Sequence, residues 1–331
     1  MNKLLLAITM VLSVGRITLG PALAQSPTPQ PSPQPRFEDI LSKTVVRIVG
    51  QADGAGTLNA TGFLVEVPET RLQGNYVIAY LVTNRHVAKG IVPDASGRDI
   101  EHRITKMEAV LNLRAPVDGN KAKSISLPPD NPLRWHFPAD SSIDLAVIAF
   151  RLKDDYDVVR VPVSLFLTQD VWQRYRIGPG DKVLTCGYFV HYAGTHQFQP
   201  IVRGGSLAMV PDDAMPVAIG GSANIYLADL HIIPGNSGSP LFLAPAATLG
   251  GYVTDSDPHS IPYGLIGVVS GYMWEDSQLT LHAATDYEAT MHANSGIATV
   301  VPIDQLKELL LSPELQEERD AAVKDHMHNN P

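Results

Sequence analysis

Short apolar runs, separated by glycine, asparagine and proline, recur along most of the chain. They lie at residues 45–49, 61–67, 76–83, 104–114, 144–152, 181–190, 200–210, 264–272 and 296–302. Runs of this length with turn residues between them are typical of β-strands. The pattern therefore predicts an all-β fold, either as one large domain with two halves or as two small domains.

The end of the chain has helical spacing instead. Ile303, Leu306 and Leu310 recur at intervals that place them on one face of a helix. This predicts a helix over residues 303–312. A charged tail follows over residues 313–331, and we expect a second helix in it that runs to about residue 324.

The beginning of the chain has the pattern of a secretory signal peptide over residues 1–24, with an early lysine, an apolar stretch and a small-residue cleavage site. An uncleaved anchor or a buried helix is the alternative. Residues 25–36 are rich in proline, serine and glutamine, which predicts an extended linker. We expect export to the periplasm or the external medium, with no membrane span after cleavage.

Composition narrows the possible partners and cofactors. The formal net charge is −9 and no basic run is present, so nucleic acid is not expected as a partner. Cys186 is the single cysteine, which excludes an internal disulfide, and its apolar surroundings predict a core position. The histidines at 191, 196, 326 and 328 lack a second group of ligands with matching spacing, so we expect no metal and no other cofactor.

Three separated segments carry candidate chemistry. His86 follows an apolar strand, Asp144 enters another, and Ser237 lies in a turn flanked by glycines and prolines. A carboxylate in an apolar strand needs a partner, and a histidine N–H is a suitable one. The turn allows the N–H groups of Gly235 and Ser237 to point at one spot, as an oxyanion hole requires. An ordinary surface turn is the alternative for residues 234–240.

Three segments match the motifs of a known family in chain order: residues 83–87, 144–147 and 235–240. They resemble the histidine, aspartate and serine motifs of trypsin-like serine proteases, in the bacterial HtrA-like branch. We expect no PDZ domain in this chain. The resemblance covers roughly residues 37–312. It implies two six-stranded antiparallel β-barrels of the chymotrypsin type with a C-terminal helix. We assign the first barrel to about 37–160 and the second to about 161–302. Ser239 departs from the family pattern, which usually has glycine there.

The resemblance implies a secreted or periplasmic serine endopeptidase that acts on polypeptides through an acyl-enzyme. It implies that His86, Asp144 and Ser237 are catalytic and that Gly235 and Ser237 form the oxyanion hole. The positions that it suggests for substrate binding are His231, Ser270, Gly271, Tyr272 and Gly296. An ordinary loop histidine at 231 and a strand-end hydroxyl at 270 are the alternatives.

Two other functions remain open from the sequence. One is a binding module with the protease fold and no activity, and the other is a quality-control protease or chaperone. Asn236 lacks the charge that pancreatic-type enzymes use to pair with a newly cut amino terminus, so we expect no such activation. The polar stretch at 272–295 is expected to be a long loop over the cleft.

Overall fold

The computed structural model describes residues 36–72, 76–94, 98–127, 135–244, 264–281 and 287–329. The predicted signal peptide and the linker up to residue 35 lie outside the described residues. Pro35–Pro331 form one compact unit. Within the described part of the chain, no helix is both long and apolar enough to cross a membrane.

The helices are short, apart from the last one. They are α1 (Phe37–Leu41), α2 (Arg85–Lys89), α3 (Gln169–Tyr175), α4 (Ile303–Leu310) and α5 (Pro313–Asn329), with one 3-10 turn at Val163–Leu165.

The strands outnumber the helices, as the apolar pattern predicts. They are β1 (Val45–Ala52), β2 (Gly56–Pro68), β3 (Val77–Thr83), β4 (Ile91–Pro93), β5 (Asp99–Glu101), β6 (Ile104–Val117), β7 (Asn120–Leu127), β8 (Trp135–His136), β9 (Ala146–Ala149), β10 (Val161–Pro162), β11 (Lys182–Gly187), β12 (Ile201–Met209), β13 (Met215–Pro216), β14 (Ser222–Ala223), β15 (Tyr226–Asp229), β16 (Pro240–Leu243), β17 (Gly264–Leu281) and β18 (Tyr287–Pro302). The all-β prediction is confirmed.

The first half of the chain forms an eight-stranded sheet with the order β7-β6-β1-β2-β3-β9-β8, in which β10 pairs with β2. This differs from the six-stranded barrel that the resemblance implies, because the β6–β7 hairpin and the short strands β8 and β10 extend the pairing. Strand β2 is buried on both faces: Leu64 packs into one apolar cluster, and Phe63 and Val65 pack into another. Burial on both faces explains why residues 63–65 are apolar without the alternation of a half-buried strand.

The second half forms a closed six-stranded barrel with the order β11-β12-β15-β18-β17-β16. Val183, Leu207, Leu241 and Val269 are among the residues that fill it. Because the barrel is closed, each of its strands pairs with a neighbour on both sides, and no strand edge is exposed within the barrel.

One apolar cluster joins the sheet, the barrel and helix α4. It contains Phe63 and Val82 from the sheet, Phe242 and Val268 from the barrel, and Leu306 from the helix. The predicted helix over 303–312 is therefore present as α4, and the face that its spacing defines is buried.

The charged tail is a helix docked on the sheet. Arg319 of α5 is 4% exposed, and its guanidinium donates hydrogen bonds to Tyr80 Oη at 3.2 Å and to the carbonyl of Leu310 at 2.7 Å. A second contact joins Arg71 to Asp320 at 2.6 Å. Helix α5 extends to Asn329, beyond the expected end near residue 324.

The prediction of a long loop over residues 272–295 is wrong. Strands β17 and β18 continue past the barrel as a paired two-stranded ribbon, whose register runs from Trp274 opposite Asn294 to Leu281 opposite Tyr287. The sequence suggests a loop there because the ribbon leaves the core, so burial does not impose the alternation of apolar and polar residues that marks a half-buried strand.

Candidate active site

His86 and Asp144 are in direct contact. Nδ1 of His86 lies 2.7 Å from Oδ2 of Asp144, and the backbone N–H of His86 donates to Oδ1 at 3.0 Å. The side chain of Asp144 is only 6% exposed and that of His86 is 22% exposed. Both oxygens of a buried carboxylate thus have partners on one residue. This geometry fixes the ring and favours the proton on Nδ1, which leaves Nε2 as the basic nitrogen.

The residues before His86 hold this pair in place. Helix α2 starts directly after β3, and the side-chain amide of Asn84 donates to the carbonyl of Asp144 at 2.8 Å. The guanidinium of Arg85 donates to the carbonyls of Ile143 at 3.2 Å and Asp140 at 3.0 Å. The conformation of the loop that bears Asp144 is therefore tied to the start of α2 by side chains of the histidine motif.

The surroundings of His86 raise the pKa of its ring. Burial alone lowers the pKa of His86, but the charge of Asp144 and its hydrogen bond to the ring outweigh burial, so the pKa is raised above its usual value. Asp99, in the β4–β5 hairpin that follows α2, adds a smaller effect in the same direction. Burial raises the pKa of Asp99 itself, the charge of His86 lowers it, and that of Asp144 raises it. Sequence reasoning missed Asp99, since nothing local marks it.

The turn around Ser237 is organised by Asn236, which is 2% exposed. Its side-chain oxygen accepts from the N–H of Ile233 at 3.0 Å, and its side-chain amide donates to the carbonyl of Tyr188 at 2.9 Å. Gly235 has φ +98°, a conformation that L side chains rarely adopt. The glycine is required there because the turn needs this backbone angle.

The N–H groups of this turn fall into two sets. Those of Asn236, Gly238 and Ser239 donate to the carbonyls of Ile233, Val269 and Asn236 at 2.9–3.0 Å. Those of Gly235 and Ser237 have no hydrogen-bond acceptor among the residues that the structure describes. Within the described part of the chain, these are the two donors of the turn that a further acceptor could use.

Thr61 joins the serine turn to the first sheet. Its hydroxyl donates to the carbonyl of Gly235 at 2.7 Å and accepts from the N–H of Tyr188 at 2.8 Å. Its backbone N–H donates to the carbonyl of Ser237 at 2.9 Å, and its carbonyl accepts from Thr83 Oγ1 at 2.8 Å. Sequence reasoning missed this residue, because a threonine inside an apolar strand is typical of strands in general.

Gly238 makes the approach of the two halves possible. A Cβ at this position would overlap with the carbonyl oxygen of Thr61 and would lie 2.5 Å from Thr83 Oγ1. Thr83 precedes His86 by three residues. The serine turn is therefore packed directly against the end of strand β3, from which helix α2 carries His86.

The hydrogen bond between His86 and Ser237, the second of the two that the predicted triad contains, is not formed in this structure. Across the described residues, neither Nε2 of His86 nor Oγ of Ser237 has a hydrogen-bond partner. In enzymes without substrate, catalytic hydrogen bonds are often long or poorly aligned and tighten when the substrate binds.

Ser239, the departure from the family motif, is accommodated by a glycine on a neighbouring strand. It is fully buried, and its hydroxyl has no partner among the described residues. A Cβ at Gly187 would overlap with Ser239 Oγ. Because Gly187 has no side chain, the hydroxyl of Ser239 fits into the space beside it.

The five expected substrate positions gather around the start of the ribbon. Gly271 and Tyr272 lie on β17 opposite Thr299 and Ala298 of β18. Ser270 Oγ lies 3.1 Å from Thr299 Oγ1 and is not bonded to Asp144.

His231 and Gly296 lie on the other side of the ribbon's start. His231 is exposed, and it follows Leu230, whose N–H donates to the carbonyl of Gly296 at 2.9 Å. The side-chain amide of Asn294 donates to the carbonyl of Ile232 at 2.6 Å. These hydrogen bonds tie the segment before the serine turn to β18.

The single cysteine and the possible metal ligands are the other two features considered for chemistry, and neither is arranged for it in the described residues. Burial raises the pKa of the Cys186 thiol to about 12, so this cysteine is a core residue rather than a nucleophile. Over the described ranges, no three side chains of His, Cys, Asp or Glu are grouped as metal ligands would be.

Comparisons with known proteins give similarity in fold only. No model of a protein family matches the chain, and no curated protein sequence matches it. The solved structures similar to it include Deg5, which is 18% identical, with a TM-score of 0.43 and coverage of 82% of this chain and 88% of that one. They also include a thermostable serine protease, AL20, from an extremophilic microorganism, 11% identical, with a TM-score of 0.41 and coverage of 81% and 94%.

Proposed function

We propose that the protein is a serine endopeptidase that hydrolyses peptide bonds through an acyl-enzyme. The observation that carries this proposal is the contact of His86 on α2 with the buried carboxylate of Asp144. The barrel turn that bears Ser237 packs at Gly238 against Thr83, at the end of the strand that precedes α2, and two of its N–H groups have no acceptor among the described residues. A base, an orienting carboxylate, a nucleophile and an oxyanion site are the parts that acyl transfer requires.

Each residue has a defined step. Nε2 of His86 takes the proton of Ser237 Oγ as that oxygen attacks the carbonyl carbon, and later gives it to the leaving amine. Asp144 holds the ring by Nδ1 and stabilises the imidazolium. The N–H groups of Gly235 and Ser237 receive the negative charge that develops on the carbonyl oxygen; one such donor contributes about 3–4 kcal/mol. We also propose that the protein acts outside the cytoplasm, from the signal pattern at residues 1–24.

Labelling with a fluorophosphonate tests the proposal at the nucleophile. We expect the intact protein to be labelled and Ser237→Ala to be unlabelled, with peptide turnover reduced by roughly 10⁵–10⁶. Ser42→Ala is the matched control, because Ser42 is a partly buried serine whose hydroxyl donates to the carbonyl of Glu38 and has no part in the candidate site. Near-normal hydrolysis by Ser237→Ala would contradict the assignment.

One observation favours a second function, a binding module without activity. It is the absence, in the described residues, of a hydrogen bond between Ser237 Oγ and His86 Nε2. Such a module would fold normally, bind polypeptides and resist the fluorophosphonate at every pH. Labelling of the folded wild-type protein therefore separates the two functions.

A further inference from the structure

Helix α5 packs on the two strands that lead to the candidate base and its carboxylate. Arg319 donates to Tyr80 Oη of β3 at 3.2 Å, and β3 ends just before α2, which bears His86. At a second contact, two glutamates of α5 reach His136 in β8. Strand β8 precedes the loop that bears Asp144. The helix therefore contacts both of the segments that position the candidate pair.

His136 is enclosed, and both nitrogens of its ring face carboxylates. Its side chain is 5% exposed. Nδ1 lies 3.1 Å from Oε1 of Glu314, and Nε2 lies 2.9 Å from Oε2 of Glu318. Residues four apart are neighbours on one face of a helix, so both carboxylates come from the same face of α5. The ring thus lies between glutamates from two successive turns.

The attraction at this contact depends on the charge of the ring. Among the described residues, neither nitrogen of His136 has an aligned hydrogen bond, although both distances to the carboxylates are short. A neutral imidazole carries only one N–H, so its other nitrogen would present a lone pair to a carboxylate. The imidazolium form has two N–H groups and a positive charge, and both glutamates attract it.

Tyr80, on the neighbouring strand β3, faces the same turns of α5. Burial raises the pKa of Tyr80, the hydrogen bond and charge of Arg319 lower it, and the charge of Glu318 raises it. The net direction is upward, so Tyr80 is neutral over the whole range in which a histidine ordinarily titrates. An arginine keeps its charge throughout that range.

The remaining charged groups between α5 and the sheet are paired with each other. Asp320 lies 2.6 Å from Arg71, and Arg71 lies 2.6 Å from Glu69. The hydrogen bond from Arg71 lowers the pKa of Glu69 to about 2, and it also lowers the pKa of Asp320. Both carboxylates are therefore ionised near neutral pH. Of the groups at this interface, His136 is the one whose type ordinarily changes charge there.

We propose that the start of α5 is a pH-dependent latch on the first sheet, closed while His136 carries two ring protons and loosened when the ring loses one of them. The bonds of Arg319 do not depend on this proton, so the helix loosens around Glu314 and Glu318 and does not detach. Strongly acidic conditions also open the latch, because they neutralise the two glutamates.

The latch extends the proposed endopeptidase function to its regulation, and this part of the inference rests on that function. His136 pairs with Val147 of β9, and the loop between the two strands bears Asp144. Loosening the contact at His136 leaves one end of this loop less supported. The carboxylate of Asp144 then holds His86 less firmly, and the proposed hydrolysis slows.

Hydrogen exchange of the amides in α5 tests the latch without any need for activity. Protection in the first two turns, corrected for the intrinsic rate, should fall about fivefold from about pH 6 to about pH 9. The double variant Glu314→Gln with Glu318→Gln should have the lower protection already at about pH 6 and should equal the intact protein at about pH 9. Glu317→Gln makes the same change at an exposed position of the same helix and should behave as the intact protein.

The histidines of the interface give the controls for the source of the pH dependence. His136→Gln should have the lower protection at every pH. His326→Gln, near the end of α5 and in ring contact with Tyr76, should keep the pH dependence of the intact protein. A fall with pH that persists in His136→Gln would overturn the latch. So would a double glutamate variant that is less protected by the same factor at both pH values, because its glutamates would then act without the charge of the ring.

Fluorophosphonate labelling tests the coupling to the candidate site. At about pH 7 the double glutamate variant should be labelled about threefold more slowly than the intact protein, and Glu317→Gln at the same rate. Equal labelling of a variant whose α5 has lost protection would overturn the coupling and leave the latch. An intact protein that shows the pH-dependent protection of α5 but is never labelled would overturn the proposed function together with the coupling, and not the latch.

Discussion

The two halves of the candidate site are held by different kinds of interaction. On the sheet, a charged side chain fixes His86, because both oxygens of Asp144 bond to it. On the barrel, Ser237 is fixed through its backbone: Thr61 donates to its carbonyl, and Gly238 packs against Thr61 and Thr83. The difference indicates that substitutions in the first half change proton transfer, whereas substitutions in the second half change geometry and stability.

The largest expected effect is on the charged half. Asp144→Asn removes the carboxylate that holds Nδ1 protonated, and we expect kcat to fall about 10⁴-fold with little loss of folding. Steady-state kinetics on a peptide substrate measures this.

Asp140→Asn is the control for that substitution. Asp140 lies in the same loop, but its carboxylate accepts from the N–H and hydroxyl of Ser142 rather than from His86. We expect its kcat to stay within about threefold of the wild-type value, since substitutions away from the reacting groups have small effects. Equal losses of kcat in the two variants would show that kcat depends on the conformation of the loop and not on the charge of Asp144.

The next effect concerns the close packing of Gly238 against the first sheet, in the half of the site that is held through its backbone. Gly238 and Gly119 have nearly the same φ, +83° and +78°, but a Cβ at 238 would overlap with Thr61, whereas one at 119 would meet no atom within 4 Å. Alanine at either position costs about 1–2 kcal/mol for the left-handed backbone. Gly238→Ala should cost about 3 kcal/mol or more in total, because overpacking adds to it.

Chemical denaturation of both alanine variants measures that difference, and labelling by fluorophosphonate reports the position of Ser237. We expect Gly119→Ala to be labelled at the wild-type rate and Gly238→Ala to be labelled slowly. Similar stability and similar labelling of the two variants would mean that the serine turn does not depend on its packing against the sheet.

A smaller effect tests the hydroxyl bridge. Thr61→Val leaves the carbonyl of Gly235 and the N–H of Tyr188 without their buried partner, and we expect a loss of about 2–3 kcal/mol in the free energy of unfolding. Thr44→Val, also buried, removes one hydrogen bond, to the carbonyl of Leu41, and should cost about 1 kcal/mol.

Activity separates these two threonine variants further. Thr61→Val should lower kcat/KM by about tenfold, since small displacements of reacting groups slow reactions strongly. Thr44→Val should not alter it. If both variants lose stability equally and neither loses activity, Thr61 supports the fold alone.

The same comparison explains what sequence reasoning captures. His86 and Asp144 are recognisable because a charged or titratable residue beside an apolar strand is unusual and requires a partner. Thr61 is not recognisable, because its function depends on a carbonyl 174 residues away along the chain. Local patterns therefore mark the candidate catalytic residues but not the residues that hold the two halves together.

The fold shows the same limit. Apolar runs predict the strands, yet they do not give the number of strands in a sheet, which depends on how the β6–β7 hairpin pairs. Helix α5 docks through the buried Arg319 and its bond to Tyr80, although its charged composition is typical of a solvated tail. The ribbon of β17 and β18 is held by backbone pairing, which leaves little trace in the sequence.

The smallest effect concerns pH and returns to the charged half. The proposed mechanism needs a neutral His86, and Asp144 raises its pKa above the ordinary value of 6.5, so the acidic limb of kcat/KM should lie above pH 6.5. The same shift stabilises the folded protein at pH values below 6.5, and this contribution is lost as the pH rises through the raised pKa.

In Asp144→Asn burial lowers the pKa of His86 without that opposing charge, so the acidic limb of kcat/KM should move below 6.5. Asp99→Asn should move it less, and the pH dependence of fluorophosphonate labelling measures all three proteins; a limb that stays in place in Asp144→Asn would mean that another group controls it.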